Sequence, residues 1–392
     1  VGVAHMNSRL EQAMSPGKLV VSVLLLSGLF ETTAIAQTGP PREDPPPPEV
    51  RAVEVEDGVH VEVLDWGGGG RPIVLLAGLG NTAHVFEDFA PRLAEFGRAL
   101  GVTRRGYGAS SRPESGYEVR RLGEDVVAVL DVLELQSPIL VGHSLAGQEI
   151  SYVASRHPEK IAGAVYLDAA YRYAWHTPTP QENLRDLRDR LQRLDPVLSG
   201  PPLQPSDLAA QIETIMGDAL SEFQRDLDVF HMAPEGMPGA LQPGPPDLVS
   251  VEAYQTWSRR MLGYSFPPAE IRATRDIGAD GAVGGRSSPP EIGRAIMAST
   301  ERFESIDVPA LAIYASPHTL GPWAADSPVD PTVLDAFRRF DQATTERQAS
   351  AFERGVPGSR VILLPDAHHY LFLTHETEVL TALGDFIARL PE

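Results

Sequence analysis

Leu140-Val-Gly-His-Ser-Leu-Ala-Gly147 carries an apolar run directly into a serine flanked by small residues, and a helix-forming stretch, Ser144–His157, follows. A strand that turns sharply into a helix at a serine strains the backbone there, and bulky neighbours would clash. The turn leaves the Ser144 hydroxyl exposed above the helix N-terminus, where amide N–H groups favour developing negative charge. Gly142 fits the G-x-S-x-G pattern, Ala146 occupies its last glycine position, and Gly147 lies one step further. An ordinary serine N-cap would look similar in isolation, so the reading depends on what surrounds it.

Continuous apolar runs recur on both sides: Ile73–Ala77, Ala99–Thr103, Pro138–Gly142, Gly163–Leu167, Val308–Tyr314 and Arg360–Leu364. Helical patterns separate them at Val85–Phe96, Val119–Leu133, Pro331–Phe352 and Glu376–Leu390. Val59–Asp65 alternates apolar and polar residues, as a half-buried antiparallel strand does. Strand–helix alternation predicts a mostly parallel central sheet covered by helices on both faces. The alternation stops at residues 171–305, where helical pieces (Gln181–Leu194, Leu208–His231) and turn-rich spacers replace the strands. Its aromatic and aliphatic residues Phe223, Leu227, Phe230, Tyr254, Trp257 and Met261 argue for an ordered, largely helical lid or cap. The core is then residues 51–170 and 306–392.

Two further segments suit the serine. Gly78-Leu79-Gly80-Asn81 follows the Ile73–Ala77 run as a flexible turn. The N–H of Leu79, with that of Leu145 after the serine, would form an oxyanion hole. Pro365-Asp-Ala-His-His-Tyr370 lies between the last strand and the last helix, where a histidine can act as general base. Thr103–Ser110 reads as a glycine-rich structural turn. Gly67–Gly70 lacks the lysine of a phosphate loop and reads as a turn between strands.

The 392 residues carry 33 basic and 53 acidic side chains, a formal charge of -20. That field repels nucleic acid and anionic membrane surfaces, which are excluded as partners. The absence of cysteine removes disulfides, thiolate metal sites and cysteine nucleophiles. Lys18 precedes the apolar run Leu19–Phe30, and Ala34-Ile-Ala36 follows with small-x-small spacing. Residues 1–36 therefore read as an extension, with Met14 as start, and a secretory signal cleaved near Ala36, so export is expected. The run is shorter than the roughly 20 residues of a membrane span. Residues 37–50 read as a proline-rich linker.

In order along the chain, Gly78–Asn81, Arg105–Ser110, Gly142–Gly147 and Ala367–Tyr370 resemble the successive motifs of the α/β-hydrolase superfamily, in particular its serine esterase and lipase-like members. The resemblance covers residues 51–175 and 306–392 and implies the α/β-hydrolase fold. It also implies a Ser144 nucleophile, with His369 rather than His368 as its base. For the acid it offers two places. One follows the Val308–Tyr314 strand, where Ala315-Ser-Pro-His318 carries histidine instead of aspartate, and Asp326 and Asp330 come later. The other follows Gly163–Leu167 and gives Asp168, which is preferred. His318 would then be free to touch substrate.

The implied chemistry is hydrolysis of a small or medium-sized carboxylic ester through an acyl-enzyme. Amide, C–C bond or haloperoxidase-like chemistry fits the same fold, as does a ligand-binding protein without turnover. A serine at this position argues against dehalogenases and epoxide hydrolases, which carry aspartate there. No cofactor or metal is implied, and a site from Asp366, His368 and His369 is disfavoured because neighbouring side chains point apart.

Overall fold

The computed structural model describes residues 46–178, 180–217, 219–221, 223–224, 241–299 and 301–391. The expected signal segment, most of the proline-rich linker, and Leu227 and Phe230 of the expected cap lie outside them. The described residues all belong to one compact unit. No helix among the described residues is long and apolar enough to cross a membrane.

An eight-stranded sheet runs through this unit in the order β1-β2-β4-β3-β5-β6-β9-β10. Its strands are β1 Glu49–Glu56, β2 Val59–Gly67, β3 Pro72–Leu76, β4 Arg98–Thr103, β5 Ile139–His143, β6 Gly163–Leu167, β9 Ala310–Ala315 and β10 Arg360–Leu364. β1 and β2 pair antiparallel, β2 pairs antiparallel with β4, and the remaining neighbours are parallel. The burial explains the apolar runs: every residue of β5, β6 and β9 is buried. Helices cover both faces of a sheet of this kind, so its central strands have no polar side. β1 was absent from the strand expectations, because Glu49-Val-Arg-Ala-Val-Glu-Val-Glu56 alternates weakly and borders the prolines; the linker therefore ends earlier than residue 50.

The covering helices include α1 Val119–Val132 and α2 Gly147–Arg156 on one face. Val126, Val129, Leu130, Ile150 and Val153 join the strand residues in one apolar core there. On the other face, the last helix (Glu376–Ile387) contributes Val379, Leu383 and Phe386 to a second core with Phe86, Phe89 and Leu93. The expected helix at Val85–Phe96 is instead a 3-10 turn, Ala83–Phe86, and a single α turn, Ala90–Leu93. Pro91 cannot donate an N–H inside a longer helix, so the helix starts anew around it.

Between β6 and β9 the chain forms helices Pro180–Ser199, Pro205–Met216, Val251–Leu262, Pro268–Thr274 and Pro290–Ala298. It also forms a hairpin of β7 Arg275–Ile277 and β8 Val283–Arg286, which corrects the reading that no strand interrupts the segment. The hairpin is too short to give a periodic signal, and its turn carries Gly281 at positive φ. Tyr254, Trp257, Ile271 and Val283 bury one another in a separate small core. Ile292 and Ile296 pack against Tyr107, Tyr117, Leu122 and Leu145 of the sheet unit.

Candidate active site

Ser144 directly follows β5 and opens a 3-10 turn that leads into α2. Its φ is 52°, in the left-handed region that an L-residue rarely enters. The small neighbours of the turn have visible reasons. A Cβ on Gly147 would meet the Ala169 carbonyl oxygen at 2.1 Å, and one on Gly142 would meet Ile150 at 2.5 Å. Ala146 itself is fully buried. The position that tolerates nothing larger than glycine is therefore 147, where the helix abuts the segment following Asp168.

His369 stands in the loop after β10, and its Nε2 lies 2.8 Å from Ser144 Oγ. Its Nδ1 lies 2.6 Å from Asp168 Oδ2. Asp168 directly follows β6, is fully buried, and has a φ of 48°. Its other oxygen, Oδ1, accepts from the Tyr171 hydroxyl at 2.8 Å and the Ala315 N–H at 3.1 Å. Burial alone would push this carboxyl up, but hydrogen bonds from His318 and His369 hold it far below the ordinary carboxylate range. Asp168 is thus an anion whose lone pairs are all engaged.

Asp326 and Asp330, the other acids expected for this role, do other things. Asp326 is exposed in a 3-10 turn. Asp330 is the N-cap of helix Pro331–Gly355 and accepts from Thr332 N at 2.8 Å. His368 packs on the Tyr264 ring at 4.4 Å between centroids. Burial and the neighbouring His369 depress its pKa to about 4.

His318 requires a correction. It does not offer a free ring to substrate, because carboxylates engage both of its nitrogens. Nε2 lies 2.7 Å from Asp168 Oδ2, and Nδ1 lies 2.9 Å from Asp341 Oδ2. The His318 N–H also donates to Asp341 Oδ2 at 2.9 Å. Asp341 sits within the long helix after β9, and nothing in its local sequence distinguishes it from any solvated helical aspartate. Asp168, His318 and His369 bring three donor atoms within 4.8 Å. Ligand atoms around a tetrahedral ion stand about 3.3 Å apart, whereas these pairs stand at 2.6 and 2.7 Å as hydrogen bonds. Asp366 pairs with Arg338 instead of joining His368 and His369.

The turn that carries Leu79 lies against the serine: a Cβ on Gly78 would meet His143 Nδ1 at 2.9 Å and Ser144 Cβ at 3.1 Å. Leu79 and Leu145 pack in one apolar cluster with Tyr173. Contacts that hold this turn and its surroundings come from residues given no such role in the sequence. The buried Arg104 donates to the Ala77 carbonyl at 2.9 Å and pairs with Glu149 in the first turn of α2. His143 Nε2 lies 3.0 Å from the His369 carbonyl, tying the β5 end to the histidine loop. Glu270, from the segment between β6 and β9, accepts from Asn81 Nδ2 at 2.7 Å and from Thr82 N at 3.2 Å. Burial pushes its carboxyl up to about 7 against these hydrogen bonds. Tyr370 completes the brace by donating to Asn81 Oδ1 at 2.9 Å.

A cleft of about 460 Å³ opens beside Leu145, lined by Gln148, Arg172, Tyr173, His176, Met297 and Arg302 among others. Burial raises the Tyr173 pKa, and a contact with Ser144 opposes the rise. Gln148 is fully buried, and among the described residues neither its Oε1 nor its Nε2 has a hydrogen-bond partner. The walls are otherwise mixed in charge, with Arg172 and Arg302 both near Glu182.

Residues 71–201 match the family described as alpha/beta hydrolase fold. Over 101 residues the chain is 31% identical to the 2-(acetamidomethylene)succinate hydrolase of Mesorhizobium japonicum, a match covering 26% of this chain and 36% of that protein. Over 120 residues it is 32% identical to a non-heme chloroperoxidase of Streptomyces lividans, covering 30% and 44%. The chain thus spans less than half the length of these curated relatives. The crystal structure of E-2-(acetamidomethylene)succinate hydrolase superposes with a TM-score of 0.51 at 18% identity, covering 87% of this chain and 99% of that one, a likeness of fold.

Proposed function

We propose that this chain, whose residues 71–201 match the α/β-hydrolase fold family, is a serine hydrolase that cleaves carboxylic esters through an acyl-enzyme on Ser144. The observation that carries the reading is the unbroken chain from Ser144 Oγ through His369 to Asp168, with separations of 2.8 and 2.6 Å. In this proposal Ser144 Oγ attacks the ester carbonyl while His369 Nε2 takes its proton. In this reading the developing oxyanion is held by the amides of Leu79, on the turn after β3, and Leu145, in the 3-10 turn after Ser144. His369 then returns the proton to the departing alcohol, and a water activated by the same nitrogen resolves the acyl-enzyme. Asp168 fixes the tautomer of His369 and stabilises the imidazolium formed in each half-reaction.

Esters are preferred to amides because an alkoxide leaves more easily. The cleft beside Leu145 suits a small or medium-sized acyl group. We further propose export, on the Lys18–Ala36 pattern; N-terminal sequencing of the processed protein tests it. The central test is labelling with a fluorophosphonate, followed by a panel of p-nitrophenyl esters of increasing acyl length. Wild type is expected to label at Ser144 and to turn over the shorter esters, and Ser144→Ala to do neither. Folded wild type that takes up no label sinks the proposal.

A further inference from the structure

Two carboxylates hold one histidine beyond the chain that ends at Ser144. Asp341 accepts from His318 Nδ1 at 2.9 Å, and Asp168 Oδ2 lies 2.7 Å from His318 Nε2. Ionised carboxylates only accept hydrogen bonds. Both nitrogens of His318 must therefore carry protons, or one of the carboxylates must. Asp168 accepts independently from the Tyr171 hydroxyl, the Ala315 N–H and His369, and Asp341 Oδ2 also accepts from the His318 backbone N–H, so both carboxylates are acceptors and the ring takes the charge: His318 is an imidazolium between two carboxylates.

We propose that His318 and Asp341 form an outer positioning pair, which places a fixed positive charge on the oxygen that Asp168 shares with His369 and keeps His369 in its neutral, proton-accepting form at lower pH. The proposal rests on the serine-hydrolase reading for its consequence in activity, though not for the state of the rings.

The physics follows from one shared atom. His369 Nδ1 and His318 Nε2 both address Asp168 Oδ2, and the two rings stand 6.2 Å apart between centroids. An aspartate with no other partner would give its full charge to His369 and raise the imidazole pKa. Here an imidazolium at hydrogen-bond distance offsets part of that charge. The remaining groups around the pair are accounted for. His143 and His368 flank His369 and are held neutral, since burial, then the neighbouring His369, depresses the pKa of each. The Tyr171 hydroxyl is spent on Asp168 Oδ1, and Arg338 on the same helix as Asp341 pairs outward with Asp366. Despite burial, the hydrogen bonds to Asp168 and Asp341 push the His318 pKa up to about 10. His318 therefore keeps its charge through the neutral pH range.

The outer pair also accounts for the departure from the family pattern after β9. A histidine at position 318 provides the cation for an aspartate placed one strand earlier, so the two positions work as a set. Neither Asp341 nor His318 needs to contact substrate for this.

The test is a ring-nitrogen NMR titration of the full chain, run alongside the pH dependence of fluorophosphonate labelling. Wild type is expected to show His318 doubly protonated at pH 8, with His369 titrating separately. His318→Gln keeps a donor toward Asp168 but removes the charge. It is expected to raise the His369 midpoint by about one pH unit, and to slow labelling about tenfold at a pH on the acid limb. A neutral His318 at pH 7 in wild type overturns the proposal, and this arm stands even if a variant fails to fold. An unchanged His369 midpoint in folded variants overturns it too, even with lower labelling, because a merely structural role slows labelling without moving the midpoint. Wild type that shows the expected titrations but never labels would count against the hydrolase reading alone.

Discussion

Glu270 hydrogen-bonds Asn81 at 2.7 Å, so a carboxylate from the segment between β6 and β9 braces the turn that carries the Leu79 amide. The contact couples a buried titratable group to the geometry of the proposed oxyanion hole. Glu270 is only 1% exposed, and burial pushes its pKa from 4.5 to about 7.

A raised acid pKa means that the folded state holds its proton more tightly than the unfolded chain. The stabilisation is full below about pH 4.5 and is lost as pH rises through about 7. At about 1.4 kcal/mol per unit, ionisation costs on the order of 3 kcal/mol. Glu270→Gln cannot ionise and retains an acceptor for Asn81 or Thr82. Urea denaturation from pH 5 to 8 should show a flatter stability curve for the variant, with its largest relative gain above pH 7. Parallel curves for the two proteins would show that Glu270 does not ionise in this window.

Asp168→Asn leaves the shape of the site but removes the anion opposite His369 Nδ1. Turnover of a p-nitrophenyl ester is expected to fall on the order of 10³- to 10⁴-fold, because the imidazole loses its tautomer and its counter-charge. Asp326→Asn, on an exposed turn, should stay within about twofold of wild type. Near-normal turnover by folded Asp168→Asn would remove this residue from the mechanism.

Gly147→Ala should destabilise the fold by roughly 1–3 kcal/mol, since the new methyl meets a backbone oxygen that no rotamer change can move. That contact, at 2.1 Å to the Ala169 carbonyl, lies between the segments that carry Ser144 and Asp168. Thermal melting and esterase rate should therefore fall together. Ala146→Gly, one residue earlier, should cost less than about 1 kcal/mol. Equal melting temperatures for Gly147→Ala and wild type would disprove the packing argument.

Gln148→Leu replaces a buried amide, whose oxygen and nitrogen both lack partners among the described residues, with an apolar group of similar size. Removing two unsatisfied polar atoms should stabilise the free protein by about 1–3 kcal/mol. The same change should lower kcat/KM for esters whose acyl chain carries an amide more than for alkyl esters of equal length, since only the former supply the missing partners. A loss of stability would indicate that the amide is satisfied in the free protein.

How much of this was legible in the chain follows from the range over which each signal acts. The apolar runs of β3 to β6, β9 and β10 are local, and every residue of β5, β6 and β9 is indeed buried. The serine elbow is local as well, since a strand, a strained residue and small neighbours must be consecutive. β1 and the β7–β8 hairpin were missed because short or weakly alternating strands leave no periodic trace. Position 318 was misjudged for a different reason: a histidine's role depends on what faces it, and what faces it is Asp341, 23 residues away, and Asp168, 150 residues away.

The sequence by itself determined the parallel sheet, the serine at its central turn and the two histidines offered to it, because backbone preference and apolar periodicity are written over a few consecutive residues. Only the tertiary structure decided which carboxylate meets His369, that His318 backs that carboxylate, and that Glu270 braces the turn bearing Leu79. Hydrogen bonds of that kind depend on separations of about 3 Å between groups far apart in the chain, and no local pattern encodes them.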